Sequence, residues 1–128
     1  IEAVGMGSAI TYLQEHSIAK LQQHEAKVSA YARSLANERA WMNSYAHPTG
    51  CGMLSFSVDN IHPHDLSTFL DQKGVAIRAG HHCAQPLMRE FGVTATSRAS
   101  FGIYTLKREI DKFFDALDEA KAFFDRFS

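Results

Sequence analysis

Apolar residues change their spacing along this chain from helical to strand period and back, and that change limits the folds open to it. Small and apolar residues recur at helical intervals from Val4 to His16 and again after Ser17, which predicts two helices with Ser17 as the N-cap of the second. His24 lies on the apolar stripe of this second helix, so we expect it at the edge of the core. A last helix is predicted after Thr105, its expected cap, from residues at three- and four-residue spacing: Ile110, Phe113, Phe114, Leu117, Lys121 and Phe124.

The middle of the chain carries strand patterns separated by two further helices. Met53–Val58 alternates apolar and polar residues, which predicts a strand with one buried face. A helix is expected from Pro63, in its first turn, to Gly74, which suits a left-handed C-cap, and a short helix from Leu87 to Phe91. The other expected strands are Trp41–His47, Val75–Ile77 and Ser97–Ile103.

This order of elements predicts an α+β fold, a small and mostly antiparallel sheet with helices packed on one face. The length of 128 residues suits one domain, and the sequence contains no repeat or linker that would divide it. The first residue is Ile1 rather than Met, and helical spacing begins at once. We therefore expect residues 1–128 to be a single domain cut from a longer protein.

Charge and hydropathy exclude several classes of function. The net charge is −1, and the 13 basic residues are scattered, so the sequence predicts neither a nucleic-acid surface nor an anionic-membrane surface. No apolar run approaches the roughly 20 residues that span a bilayer. Two cysteines are too few for a disulfide scaffold and suit a reducing compartment, so we expect a cytoplasmic protein.

The segment from residue 78 to residue 86 carries most of the chemical information. Cys83 lies there in a glycine-led polar loop, and nearby Arg78, His81 and His82 would favour its thiolate, the form that attacks electrophiles. The alternative is a buried, inert thiol, and that interpretation is kept for Cys51.

Arg98 is the second candidate, because the strand pattern directs it away from the apolar face. An arginine that projects into a cleft can hold a carboxylate by two parallel hydrogen bonds, and the alternative is a solvated charge at a sheet edge. A zinc site is disfavoured, because structural zinc usually takes pairs of ligands from two separate elements. Its candidate ligands would be His62, His64, His81, His82 and Cys83. No lysine lies in a setting typical of a Schiff-base nucleophile.

The run Arg78-Ala79-Gly80-His81-His82-Cys83-Ala84-Gln85-Pro86-Leu87-Met88, followed by Ser97-Arg98-Ala99-Ser100, resembles the C-terminal part of cysteine desulfurases. Within the class V aminotransferases, the likeness is to the SUF-type, or group II, branch that includes selenocysteine lyase-like enzymes. The resemblance implies the small C-terminal domain of a fold-type I pyridoxal-phosphate enzyme. It also implies that Cys83 forms a persulfide and that Arg98 binds the substrate carboxylate. From their positions near Cys83 in the sequence, we expect His82, Arg78 and His81 to support the site.

The same resemblance implies a homodimeric parent that binds pyridoxal phosphate and converts L-cysteine, or L-selenocysteine, to L-alanine. An acceptor protein would take the sulfur for iron–sulfur cluster assembly. The family's cofactor-binding residues belong to a large domain that would precede Ile1, so we expect none in this chain, which alone should be inactive. Two alternatives stay open: a related class V aminotransferase or lyase without sulfur transfer, and a stand-alone module that binds a sulfur carrier or a metal.

Overall fold

The computed structural model of the chain describes residues 1–45, 49–50 and 52–127. Helices and strands follow one another in the order that the sequence patterns predict. They are α1 (Glu2–Glu15), α2 (Ile18–Asn37), β1 (Met42–Ser44), β2 (Met53–Val58), α3 (Pro63–Gln72), β3 (Arg78–Gly80), α4 (Gln85–Glu90), β4 (Thr96–Ser100) and α5 (Lys107–Phe124).

The four strands form one antiparallel sheet in the order β1-β2-β4-β3, so β4 lies between β2 and β3. Leu54 of β2 is opposite Ala99 of β4, and both are buried. Because side chains alternate along a strand, the pair formed by Ser55 and Arg98 points to the other side of the sheet. We call this other side the distal face; Ser57 and Thr96 also belong to it.

Helices α2, α3 and α5 cover the apolar face of the sheet. Phe56 of β2 is fully buried there and meets Phe113 of α5 edge to face, with ring centroids 5.8 Å apart. Arg39, just after α2, binds Asp118 of α5 through two hydrogen bonds and lies over the ring of Phe114. The structure therefore confirms the α+β fold class with helices packed on one face, while the short helix α4 lies on the distal face.

Helix α1 is confirmed, but none of its 14 residues is buried. Val4, Met6 and Ile10 are among its large exposed apolar side chains. Ser17 is the N-cap of α2 as expected, although its side chain makes no capping hydrogen bond. His24 is half-buried at the core edge, where its Nε2 lies 2.9 Å from the carbonyl oxygen of Thr105.

The strand expected at Val75–Ile77 is wrong, and the strand begins three residues later at Arg78. The end of α3 explains the shift. Gly74 has a φ of +70°, and the N–H of Val75 donates to the carbonyl of Leu70, so the first of these residues completes the helix terminus.

Three other element boundaries also differ from the sequence patterns. The strand that begins at Thr96 ends at Ser100 rather than at Ile103. Thr105 is not the cap of α5, because its Oγ1 accepts a hydrogen bond from the N–H of Gly102 within a turn; Leu106 is the N-cap. β1 stops at Ser44, and residues 46 and 47 of the expected strand lie outside the described residues.

Candidate functional site

Two cavities share His82. One lies between the distal face and helix α4, and the other lies beside β3, the turn before α4 and the start of that helix. The first, of about 450 Å³, is lined by Arg98 and His82, together with Tyr45, Met53 and Phe91. The second, of about 640 Å³, is lined by Cys83, His82, His81, Arg78 and His64, among others. His82 therefore lies between the cavity that contains Cys83 and the cavity that contains Arg98.

Cys83 sits in a tight turn whose backbone is unusual. The N–H of Ala84 donates to the carbonyl of His81 at 2.9 Å, which closes a four-residue turn. Its two central residues, His82 and Cys83, have φ angles of +53° and +58°, as in a type I′ turn. Such turns favour glycine and asparagine, and a side chain with a Cβ costs roughly 1–2 kcal/mol per left-handed residue. The thiol of Cys83 is exposed and forms no disulfide.

His82 ties this turn to the sheet. Its Nε2 lies 3.1 Å from the carbonyl oxygen of Thr96, the first residue of β4. Because a carbonyl oxygen can only accept, Nε2 donates and the neutral ring keeps its lone pair on Nδ1. Burial lowers the pKa of His82, and the positive charges of Arg98 and Arg78 lower it further, against the opposing effect of the Thr96 hydrogen bond. His82 is therefore neutral at pH 7, and its buried Nδ1 has no hydrogen-bond partner among the described residues.

Arg98 is half-buried on the distal face of the central strand β4. No carboxylate of the described residues forms an ion pair with it, and its buried Nε has no hydrogen-bond partner there. A buried N–H without a hydrogen-bond partner is costly, so this side chain is suited to an anion brought into the cavity from outside.

Aromatic and apolar side chains form the opposite wall of the first cavity. The rings of Tyr45 and Phe91 stack at 4.8 Å, and the Tyr45 hydroxyl lies 2.9 Å from the Ser57 hydroxyl. On the other side, buried Met88 of α4 contacts the hydroxyl of Thr96. This wall keeps one side of the cavity apolar, which strengthens the interaction of Arg98 with any carboxylate that enters.

Comparison with protein families shows to which family this chain belongs. Residues 1–113 match the model of the family described as aminotransferase class-V. This chain belongs to the class V aminotransferase family.

This class V aminotransferase chain is similar to proteins that are named cysteine desulfurases. It is 41% identical over 122 residues to a probable cysteine desulfurase of Halalkalibacterium halodurans, and the match covers 95% of this chain and 30% of the relative. The crystal structure of the Escherichia coli cysteine desulfurase CsdA matches 94% of the chain with a TM-score of 0.88 and 32% identity. An apo cysteine desulfurase of Thermococcus onnurineus matches 92% with a TM-score of 0.87 and 30% identity. The chain covers 30% of the length of both solved structures as well.

The structure of this class V aminotransferase chain gathers all five candidate residues around the two cavities. They are Cys83, Arg98, His82, Arg78 and His81. Cys51 lies outside the described residues. Within those residues, no three His, Cys, Asp or Glu side chains are grouped to hold a metal ion, and no helix has the length and apolarity to cross a membrane. His62 instead caps α3, where its Nδ1 accepts from the N–H of His64.

Sequence reasoning missed three residues of the site. Tyr45 and Phe91 form the aromatic wall, and the carbonyl of Thr96 holds His82. Tyr45 could have been found from its alternation with Asn43 in a strand, but a backbone carbonyl leaves no signal in the residue types.

Proposed function

We propose that this chain is the small domain of a longer pyridoxal-phosphate-dependent cysteine desulfurase, in which Cys83 receives sulfur and Arg98 binds the substrate carboxylate. The supporting observation is that the exposed thiol of Cys83 and the guanidinium of Arg98, which has no ion-pair partner among the described residues, line two cavities that share His82. The names of the relatives support the same activity.

The residues of this chain would act on a cysteine held by its carboxylate at Arg98. The thiolate of Cys83 attacks the substrate sulfur, so that a sulfur–sulfur bond forms while the carbon–sulfur bond breaks; the electron pair of the broken bond stays with the β-carbon, which takes up a proton. The products are a persulfide on Cys83 and L-alanine. Arg78 and His81 line the same cavity as Cys83, so they would lie beside the sulfur that Cys83 receives.

The cofactor would be held by residues outside this chain. Pyridoxal phosphate is attached to its enzymes through a lysine and serves as an electron sink for bonds at the substrate α-carbon. None of the six lysines of this chain lines either cavity. The described residues thus do not fit the covalent anchor, and the chain alone is expected to be inactive on cysteine.

The acceptor of the sulfur would be a protein that reaches Cys83 through the second cavity. Its lining contains Arg78, His64 and His81 but no carboxylate, so this approach favours an acceptor thiol flanked by acidic residues. We further propose that the sulfur serves iron–sulfur cluster assembly in the cytoplasm, that the full-length enzyme is a homodimer, and that L-selenocysteine is a second substrate.

The test is the Cys83→Ser variant of the full-length enzyme, with Cys51→Ser as the matched cysteine control. Cys83→Ser is expected to keep cofactor absorbance and cysteine binding and to lose the protein-bound persulfide, measured by mass spectrometry after one turnover. Cys51→Ser should keep all three. Persulfide accumulation that persists in Cys83→Ser would refute the role of this thiol, and unchanged alanine production would favour a lyase or aminotransferase without sulfur transfer.

A further inference from the structure

The turn that carries Cys83 and the strand that carries Arg98 are joined by a side-chain hydrogen bond. It runs from His82 Nε2 to the carbonyl of Thr96, at 3.1 Å. Thr96 is fully buried and lies two residues before Arg98 on the same face of β4. The contact therefore fixes the turn against β4, one of the two strands that are paired on both sides.

This contact acts on a turn that local sequence does not stabilise. Cysteine is uncommon at a positive φ, and histidine, although enriched there among the residues with a Cβ, still lacks the freedom of glycine, so the turn has to be held by its surroundings. The only turn-closing bond within residues 81–84 joins Ala84 to His81, and it does not attach the turn to the sheet. The His82 side chain supplies that attachment.

We propose that His82 is a positioning residue that sets the distance between the Cys83 thiol and a carboxylate bound at Arg98. This inference rests on the proposed function and deepens it. The site would then select substrates by the distance between their carboxylate and their sulfur. The chemistry favours an α-amino acid whose sulfur is one carbon beyond the α-carbon, and disfavours the homologue with one more methylene. A misplacement of about 1 Å between reacting atoms costs roughly 100-fold in rate.

A pair of alkylating reagents measures this distance without the cofactor. The Cys83 thiolate displaces bromide from 3-bromopropionate and from its neutral amide, 3-bromopropionamide, and forms a thioether in both cases. Only the first reagent has a carboxylate for Arg98. The ratio of the two rates at Cys83 in this chain, measured by mass spectrometry, therefore reports the alignment of thiol and guanidinium.

We expect Arg98→Ala to lower this ratio roughly 10-fold, the loss of one charge-assisted contact. His82→Ala should lower it as much while the amide rate stays within twofold. His82→Gln, whose amide N–H replaces Nε2–H, should restore the ratio. His82→Asn tolerates the left-handed turn but is too short to reach Thr96, so it should behave like His82→Ala.

His24→Ala is the matched control, because His24 also places its Nε2 beside a backbone carbonyl, that of Thr105, far along the chain from Cys83. It should leave the ratio unchanged, and urea unfolding of each variant confirms that it is folded. If His82→Ala does not fold, the comparison of His82→Gln with His82→Asn decides the question.

The carboxylate role of Arg98 and the positioning role of His82 are contradicted by different results. A ratio that does not respond to Arg98→Ala contradicts the carboxylate role in the proposed function, and the coupling with it. A ratio that falls in Arg98→Ala but stays constant in His82→Ala and His82→Asn overturns the positioning role alone. In the full-length enzyme, the expected counterpart is a 10- to 100-fold lower kcat for persulfide formation in His82→Asn with KM within twofold. Equal losses in His82→Asn and His82→Gln would also overturn it.

Discussion

Replacing Cys83 by glycine is expected to stabilise the chain relative to alanine, although both changes remove the thiol. Cys83 has a φ of +58°, where a residue with a Cβ is disfavoured by about 1–2 kcal/mol and glycine is not. Glycine loses more backbone entropy on folding, which opposes the gain by roughly 0.5–1 kcal/mol. We therefore expect the free energy of unfolding to be about 0.5–1 kcal/mol higher in the Cys83→Gly variant than in the Cys83→Ala variant, which corresponds to a Tm about 2–4 °C higher.

Urea unfolding followed by circular dichroism measures this difference, provided that both variants have the same m-value. The control is Ala30→Gly, an exposed position in the interior of α2, where the same exchange should destabilise by about 1 kcal/mol. A Cys83→Gly variant no more stable than Cys83→Ala would show that the turn is not strained and would remove one argument for a functional turn.

Two further predictions concern stability elsewhere and its dependence on pH. Arg39→Lys should lower the free energy of unfolding by about 1–2 kcal/mol, because an ammonium cannot reproduce the two hydrogen bonds of 2.7 and 2.6 Å to Asp118. Urea unfolding measures this loss, and a change below about 0.3 kcal/mol would contradict the prediction. The pKa of His82 in the folded state is lowered by burial and by Arg98 and Arg78, so the unfolded chain binds a proton first as the pH falls. Stability should therefore decrease as the pH falls through about 6.5, the usual pKa of histidine, and this decrease should be smaller in His82→Gln.

Much of the fold follows from local sequence. β2 spans the predicted residues, Met53–Val58, because strict alternation reports a strand with one buried face. α3 begins at Pro63 as predicted because proline fits the first helical turn. The strand predicted at Val75–Ile77 was wrong. The composition of this segment suits a strand, but the N–H of its first residue is used by the end of α3.

Less of the site follows from local sequence, because its geometry depends on pairing between distant strands. The pattern around Arg98 predicts its face, but not that β4 lies between β2 and β3 and so brings Arg98 near Cys83. The left-handed turn at His82 has no signature, since His-Cys is not a residue pair that type I′ turns prefer. The expected roles of these residues came from family resemblance, and they remain predictions.

The strand order has a consequence for the order in which the chain can fold. β3, which leads directly into the Cys83 turn, pairs in the sheet with β4 and not with the earlier strands β1 and β2. As the polypeptide emerges from a ribosome, β1 and β2 can form a hairpin-like pair, but β3 has no sheet partner until residues 96–100 are available. The turn and the arginine strand would then be completed in the same late, non-local step of folding. A nascent chain that ends before β4 should therefore lack an ordered Cys83 turn.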